Sequence, residues 1–316
     1  MPEAAFQDSG NFRIIPSLAN ALSFGEVYQG PNGEAEFYPT DEALSSGDSA
    51  RMRRDGVCTI LKTSGVTLLD GQDWFWDRSE GKVVAYPALD DRDFWGGTAN
   101  GDAASTAITM SGHLNRRGRY IIDTARDGFL FVPVGTANSP KLIQVGGWHK
   151  LVLDATNEAQ KVDLLSMQGF SLDSNWIAEF EVLINDDGAS AALDFNCGVA
   201  NATDSDNADD ITESAFFHTD GNTVDILAES DDGTNEVAAT DTTIDYTLDT
   251  VWRGIIDGRN PSSLAYYING SRVLSGTTFN IEDATGPLKL LIHLEKSAAT
   301  DTAVFYVRGR VRTMEQ

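Results

Sequence analysis

Short runs that alternate between apolar and polar residues, separated by turn residues, extend along most of the chain. Leu288–Glu295 has an apolar residue at every second position, with Lys289, His293 and Glu295 between them. The last run has the same pattern, since Phe305–Arg312 alternates apolar residues with arginines. A period of two is the side-chain period of a β-strand, whereas no stretch of any length has helical periodicity. The pattern predicts an all-β protein.

Turn residues predict how neighbouring strands connect. Leu264–Ile268 and Ser271–Leu274 flank Asn269-Gly270, a pair that favours a two-residue β-hairpin turn. Earlier in the chain, the aromatic run Gly71–Asp77 is followed after a turn by Lys82–Tyr86, which predicts a second hairpin. Many short strands at regular spacing are typical of an antiparallel sandwich. We therefore predict a jelly-roll, concanavalin A-like β-sandwich for the later half.

Changes in this pattern of apolar, polar and turn residues along the chain predict three segments. Residues 1–20 have little periodicity and are expected to form an extended N-terminal arm. Residues 21–118 are predicted to form a small β-rich domain, barrel- or tulip-like. Residues 119–316 are predicted to form the sandwich. Met1–Phe6 lacks the basic and apolar segments of a secretory signal, so we expect none.

Charge narrows the classes of partner. The chain carries 48 Asp and Glu against 23 Lys and Arg, a net charge of −25. Between Lys161 and Arg253 it has no Lys or Arg but 21 Asp and Glu. Such a surface repels phosphate backbones and anionic lipid, so we predict no nucleic-acid and no membrane partner. No apolar run approaches the ~20 residues of a membrane span.

The sequence offers few candidates for chemistry, and we predict no enzyme. The four histidines are scattered, and the two cysteines, Cys58 and Cys197, are expected to be free and buried. Carboxylates in Asp204–Asp210 could converge on Ca²⁺. That segment lacks the central Gly and the Glu of an EF-hand loop, so we expect a solvated acidic loop and no cofactor. A structural calcium ion on the Asp-rich loops stays open.

Glu179 and Glu181 share one strand face, the spacing that a pair of glycosidase carboxylates needs. The surrounding residues do not form the E-x-D-x-x-E pattern of β-glucanase sandwiches, so we expect a solvated strand face. Trp74 and Trp76 also share a face, and at least one of them is expected in a core. With Phe94 and Trp95, they could instead stack on a sugar or a partner. Loss of glycan binding on mutating a sandwich tryptophan such as Trp252 would favour a lectin. Three arginines, Arg51, Arg53 and Arg54, form a basic cluster that could contact an acidic protein neighbour.

Two resemblances give these domains a possible context. Gly65–Val83, followed by Asp93–Ala99 and Gly101–Ala103, resembles the small capsid-cement proteins of tailed phages, with Gly-x-x-x-x-Trp-Asp-x-x-x-Gly-Lys-Val in Gly71–Val83. The match covers about residues 20–118 and departs from the pattern in the acidic insert Ala88–Asp93 and at Gly97-Thr98. In the later half, Asp225–Gly233, Thr242–Tyr246, Tyr266–Gly270 and Gly286–Glu295 resemble concanavalin A-like domains of phage structural proteins. Neither the metal ligands of lectins nor the acids of hydrolases are recognisable.

The resemblance implies a non-enzymatic virion structural protein, a decoration protein on the outer capsid surface. Cement proteins bind the major capsid protein, often as homotrimers, and clasp it with an N-terminal arm. The docking residues would then be Phe6, Phe12, Ile14 and Ile15 of the arm, together with Arg51, Arg53 and Arg54. The alternative is a glycan-binding, lectin-like module for adhesion to a host surface.

Overall fold

The computed structural model describes residues 12–15, 26–30, 32–39, 43–87, 93–116, 118, 120–135, 141–188, 191–204 and 207–313. In this part of the chain the regular structure is β-strand, apart from one 3-10 turn, Ala208–Asp210. The all-β prediction is confirmed. The chain divides into two compact units, Met1–Arg119 and Tyr120–Gln316.

The first unit contains two antiparallel sheets. Its strands are β1 (Phe12–Ile15), β2 (Val27–Gln29), β3 (Ala35–Phe37), β4 (Ala50–Arg53), β5 (Val57–Leu61), β6 (Asp73–Asp77), β7 (Lys82–Val84), β8 (Phe94–Ala99) and β9 (Thr109–Leu114). One sheet has the order β1-β4-β3-β2 and the other β5-β9-β8-β6-β7.

The aromatic hairpin of the first unit lies where the sequence predicts it. β6 pairs with β7, with Trp76 opposite Val83 and Asp77 opposite Lys82. The side chains of Trp74 and Trp76 are both buried in the core of this unit, beside Ile60 and Met110. Because alternate residues of β6 point to the same face, both indoles enter the same core.

The second unit is a two-sheet sandwich. Its strands are β10 (Tyr120–Asp123), β11 (Phe129–Val134), β12 (Lys141–Val145), β13 (Trp148–Leu153), β14 (Glu158–Ser166), β15 (Trp176–Asp186), β16 (Leu193–Ala200), β17 (Ser214–Asp220), β18 (Asp225–Asp231), β19 (Glu236–Asp245), β20 (Val251–Gly258), β21 (Ala265–Ile268), β22 (Ser271–Val273), β23 (Lys289–Ala299) and β24 (Ala303–Thr313). The eight-stranded sheet has the order β12-β13-β24-β15-β20-β21-β22, with β10 also pairing with β24. The seven-stranded sheet has the order β11-β14-β23-β16-β17-β18-β19.

Aromatic side chains from the two sheets meet in one core. Phe195 of β16 stacks on Phe305 of β24, with ring centroids 4.6 Å apart. Phe217 of β17 meets Trp252 of β20 edge to face at 5.6 Å. Edge-to-face and offset contacts at these distances are the favoured arrangements of aromatic rings. The sandwich prediction is therefore confirmed by side chains that interdigitate between the sheets.

The predicted hairpin at Asn269-Gly270 also forms, joining β21 to β22. Both turn residues have positive φ, 49° at Asn269 and 81° at Gly270, as a type I′ turn requires. Among the described residues, no helix has the length and apolar character that a membrane crossing requires.

Close packing between strands gives a test of the core. Gly258 of β20 faces the buried indole of Trp176, and an added Cβ would lie 2.0 Å from its Cε2 atom. We expect Gly258→Ala to lower the free energy of unfolding by about 1–3 kcal/mol, the usual cost of overpacking. Urea unfolding followed by circular dichroism measures the effect. Gly276→Ala is the control, since its Cβ would enter open space; equal stability of the two variants would contradict this packing.

Candidate functional site

Four polar residues lie side by side across the seven-stranded sheet, on the face opposite the core. Asp163 of β14 is in register with His293 of β23, which is in register with Asn196 of β16, which is in register with His218 of β17. Residues directly before or after them in their strands, such as Phe195 and Cys197 around Asn196, enter the core. The strand period therefore places all four on one face. We call these residues the polar row.

A second row runs beside the first, two residues along each strand. Lys161 is opposite Glu295, Asp194 is opposite Glu295, and Asp194 is also opposite Asp220. Glu229 of β18 reaches the same face from the other side. The sheet thus assembles nine polar residues from five strands.

This face is covered at one end, which explains why its polar groups are buried. Ala208 and Ile211, at the 3-10 turn, pack with Phe216, Leu165 and Leu291 in a small apolar cluster. The sequence pattern predicts a polar outer face for β23, but His293 is fully buried. Buried charges must be paired, so the contacts on this face determine its chemistry.

At the Asp163–His293 end of the polar row, the charges balance once Lys161 and Glu295 of the second row are included. The Nζ atom of Lys161 lies 2.9 Å from Oδ2 of Asp163. Nδ1 of His293 lies 2.6 Å from Oδ1 of Asp163, and its Nε2 lies 3.0 Å from Oε2 of Glu295. Burial lowers the pKa of His293, but its hydrogen bonds with the two carboxylates outweigh burial and raise the pKa to about 9. Two cationic groups therefore face two carboxylates.

At the other end of the polar row, the carboxylates around His218 carry an excess of negative charge. Nε2 of His218 has Oδ1 of Asp220 at 2.9 Å and Oδ1 of Asp194 at 3.2 Å. Nδ1 of the same ring has Oδ1 of Asp209 at 3.2 Å and Oε2 of Glu229 at 3.5 Å. One imidazolium ion can neutralise only one of four carboxylates. We call these five residues the His218 cluster.

The electrostatics of the His218 cluster follow from this crowding. Burial lowers the pKa of His218, but hydrogen bonds to Asp209, Asp220 and Glu229 outweigh it and raise the pKa well above its ordinary value. Burial raises the pKa of Asp194 to about 7, although the nearby His218 opposes the rise. Burial likewise raises the pKa of Glu229 against the pull of His218. Negative charge on these carboxylates is therefore costly, and a cation or a proton relieves it.

A cleft of about 440 Å³ opens at the second row. Its walls include Lys161, Asp194, Asp220 and Glu295, together with Gln160 and Asn207. The carboxylates offer hydrogen-bond acceptors to this space, and the amide of Asn207 offers a donor. The cleft therefore connects the His218 cluster with the surface of the sandwich.

The carboxylate pair considered from the sequence, Glu179 and Glu181, lies on the other sheet of the sandwich, away from the His218 cluster. Glu179 and Glu181 are on β15 of the eight-stranded sheet, where Glu179 forms ion pairs with Arg310 and Arg312 of β24 and Glu181 lies 3.4 Å from Arg253. Glu179 is only 7 % exposed, so the expectation of a solvated strand face is wrong for it. Its arginine partners were not predicted from the sequence.

Trp252 cannot serve as a sugar platform. Its side chain is 3 % exposed and packs on Phe217 inside the sandwich. Mutating Trp252 would therefore not test sugar stacking, because β20 turns this side chain toward the core. Cys58 and Cys197 are free and buried, as predicted.

The predicted docking residues lie in the first unit. Phe12, Ile14 and Ile15 belong to β1, which pairs with β4, whereas Phe6 lies outside the described residues. Arg51 is exposed. Arg53 is buried and its Nε donates to the backbone oxygen of Asp55 at 2.7 Å, and Arg54 forms ion pairs with Glu34 and Glu36. Their role in docking stays a prediction.

His218 is not among the site residues predicted from the sequence. Within Asp204–Asp210, the acidic segment considered for calcium, Asp209 joins the His218 cluster, and Asp204 accepts a hydrogen bond from the backbone N–H of Asn207 at 3.2 Å. A usable signal exists: Asp194-x-Asn196 and His218-x-Asp220 place polar residues at alternate positions of otherwise apolar strands. Only the pairing of β16 with β17 shows that these two signals belong together.

Comparisons with known proteins give distant similarity only. No family model matches the chain, and no curated protein matches it. Among solved structures, the carbohydrate recognition domain of Emp47p is 11 % identical, with a TM-score of 0.43 and coverage of 58 % of this chain and 89 % of that one. A structure from work on endo-acting O-glycanases of the human gut microbiota has 10 % identity, a TM-score of 0.42 and coverage of 57 % and 85 %. LamAcat from Zobellia galactanivorans has 13 % identity, a TM-score of 0.41 and coverage of 56 % and 82 %.

The raised pKa of His293 predicts a dependence of stability on pH. A folded-state pKa of about 9, above the ordinary 6.5, means that protonated His293 stabilises the fold fully below pH 6.5. This contribution, on the order of 3 kcal/mol from the size of the shift, is lost as pH rises toward 9. We expect the free energy of unfolding to fall between pH 6 and pH 9.5 by more in the wild type than in His293→Gln.

Urea denaturation at the two pH values measures this difference. His113→Gln, at a partly exposed histidine of the first unit whose pKa is lowered by burial, should not reduce the fall in stability. Identical losses in the wild type and His293→Gln would mean that His293 is not charged in the folded protein.

Proposed function

We propose that the second unit is a glycan-binding module, with the cleft beside the His218 cluster as its site. The observation that carries the proposal is the meeting of a cleft with a row of polar side chains on one sheet face. Ligand-binding clefts have volumes of about 300–1,000 Å³, and the volume of about 440 Å³ lies within that range. The activity proposed is binding, in an adhesion role, without catalysis.

The cleft chemistry suits a ligand rich in hydroxyl groups. Carboxylates of Asp194, Asp220 and Glu295 can accept hydrogen bonds from hydroxyls, and the amide of Asn207 can donate to them. The amide of Gln160 is buried and already donates to Asp154 and Glu158. A hydroxyl both donates and accepts, so it can satisfy both kinds of group at once. An anionic ligand would instead meet three carboxylates, whereas the two lysines of the lining are already engaged, Lys161 with Asp163 and Lys296 with four backbone carbonyls.

Recognition in this cleft would depend on hydrogen bonds. Among the described residues that line it, none is aromatic. Sugar stacking on a tryptophan is therefore not part of the proposal. Hydrogen bonds to charged groups contribute about 1.5–3 kcal/mol each, so a few of them suffice for specific recognition.

Capsid decoration remains the prediction of the sequence resemblance. The two proposals concern different parts of the chain, since the cement-like segment lies in the first unit and the cleft lies in the second. A virion protein with a glycan-binding module would combine them. Ordered binding of the purified protein to undecorated capsids, as a trimer, is the test of the capsid prediction.

The glycan proposal predicts that Asp220 contributes directly to binding. Its side chain is 45 % exposed and lines the cleft, so Asp220→Asn changes the charge and leaves the fold intact. On a glycan array we expect saturable binding of the wild type to a defined set of neutral glycans. Titration calorimetry with the best of them should show about tenfold weaker binding for Asp220→Asn.

The matched control is Asp210→Asn, which removes one charge from an exposed residue at the end of the 3-10 turn, outside the cleft lining. It should bind like the wild type. An array without saturable binding would overturn the proposal. The appearance of new reducing ends in the incubated glycan would show that the protein hydrolyses glycan, and would contradict the proposal of binding without catalysis.

A further inference from the structure

The His218 cluster has the composition of a metal site as well as of a sugar site. Its oxygen and nitrogen atoms form two groups, Asp194–His218–Asp220 and Asp209–His218–Glu229, and in each group they lie within 4.8 Å of one another. Both groups share the imidazole of His218. The two ring nitrogens therefore face two different sets of carboxylates.

The Nε2 side of the ring opens to the cleft. Asp194 and Asp220 line the cleft and place their Oδ1 atoms 3.2 Å and 2.9 Å from Nε2. Two ligand atoms that bind one metal ion at about 2.0–2.2 Å lie about 3.0–3.4 Å apart. Both observed separations from Nε2 are close to this spacing, and the ligand atoms of Asp194 and Asp220 lie within 4.8 Å of each other. The cleft provides an entry path for an ion.

The Nδ1 side of the ring has the arrangement that usually supports a metal-bound histidine. Asp209 and Glu229 lie 3.2 Å and 3.5 Å from Nδ1 and can accept a hydrogen bond from its N–H group. Asn196 donates to both carboxylates at 2.9 Å and so holds them in place. A carboxylate on the second nitrogen fixes the tautomer that leaves Nε2 free to bind a metal ion.

A second, independent observation comes from polar atoms without partners. Asn196 is fully buried and is directed into the cluster, yet its Oδ1 atom has no hydrogen-bond partner among the described residues. Oδ1 of Asp194 also lacks a hydrogen bond of acceptable geometry there, despite its proximity to Nε2. Buried polar atoms in folded proteins nearly always have partners. Oδ1 of Asp194, which belongs to the Nε2-side group, therefore indicates a missing ligand or water at that side of the ring.

The geometry points to a metal site: we propose that Asp194, Nε2 of His218 and Asp220 bind a first-row divalent transition-metal ion, Zn²⁺ or Mn²⁺, at the floor of the cleft. One imidazole nitrogen with two carboxylate oxygens suits these ions. Ca²⁺ and Mg²⁺ are bound mainly by oxygen ligands, so they should bind more weakly here. The bound ion would supply the positive charge that four carboxylates around one imidazole lack. This inference does not depend on glycan binding.

Metal titration of the intact protein tests the site. The protein is first freed of metal with a chelator, and Zn²⁺ and Mn²⁺ are then titrated by calorimetry. We expect one tight ion per chain and a binding constant reduced at least tenfold in both Asp194→Asn and Asp220→Asn, since even supporting residues change metal affinity by about 10–100-fold. Loss of the free Mn²⁺ signal in electron paramagnetic resonance gives a second readout.

Controls separate this site from adsorption to an acidic surface. Asp210→Asn removes the same charge from a neighbouring exposed residue and should keep wild-type affinity. Thermal unfolding of Asp194→Asn without metal shows whether that variant is folded before its affinity is interpreted. No saturable binding to the wild type, equal losses in all three variants, or tighter binding of Ca²⁺ than of Zn²⁺ and Mn²⁺ would each overturn the proposal.

Discussion

The burial of charge on one face of the seven-stranded sheet is the constraint on which the site depends. An unpaired ion in a protein interior costs several kcal/mol, so each buried charge needs a partner at hydrogen-bond distance. Strand register supplies those partners, because it fixes Asp163 beside His293 and Asn196 beside His218. A shift by one residue would turn these side chains into the apolar core and the core side chains outward. The same register that builds the core therefore builds the cluster.

Two buried lysines near this face are held in place by hydrogen bonds and ion pairs. Nζ of Lys296 is buried and donates to four backbone carbonyls, those of Asp154, Thr156, Ala299 and Asp301. Lys161 is held by Asp163 and by the carbonyl of Asp204. Where such a lysine is present, the local charge is balanced. Around His218 none of the described ion pairs involves a lysine or arginine, so negative charge accumulates at the cleft.

The topology explains why the acid excess collects on one sheet. The stretch without Lys or Arg, between Lys161 and Arg253, contains β15 to β19. β15 enters the eight-stranded sheet between β20 and β24, whose arginines neutralise Glu179 and Glu181. β16 to β19 are consecutive in the seven-stranded sheet, so β17 and β18 have only neighbours from the same stretch. The His218 cluster forms where no strand brings a cation.

The sequence by itself determined the period-two strands, the Asn269-Gly270 hairpin, the two free cysteines and the acidic stretch, because each of these depends on residues close together in the chain. It did not determine which carboxylates meet. His293 and Asp163 are 130 residues apart, and only sheet pairing makes them contact. Likewise, alternation placed Glu179 on a strand face without revealing that two arginines bury it there. The tertiary structure decided the site, since burial and charge pairing arise only when distant strands become neighbours.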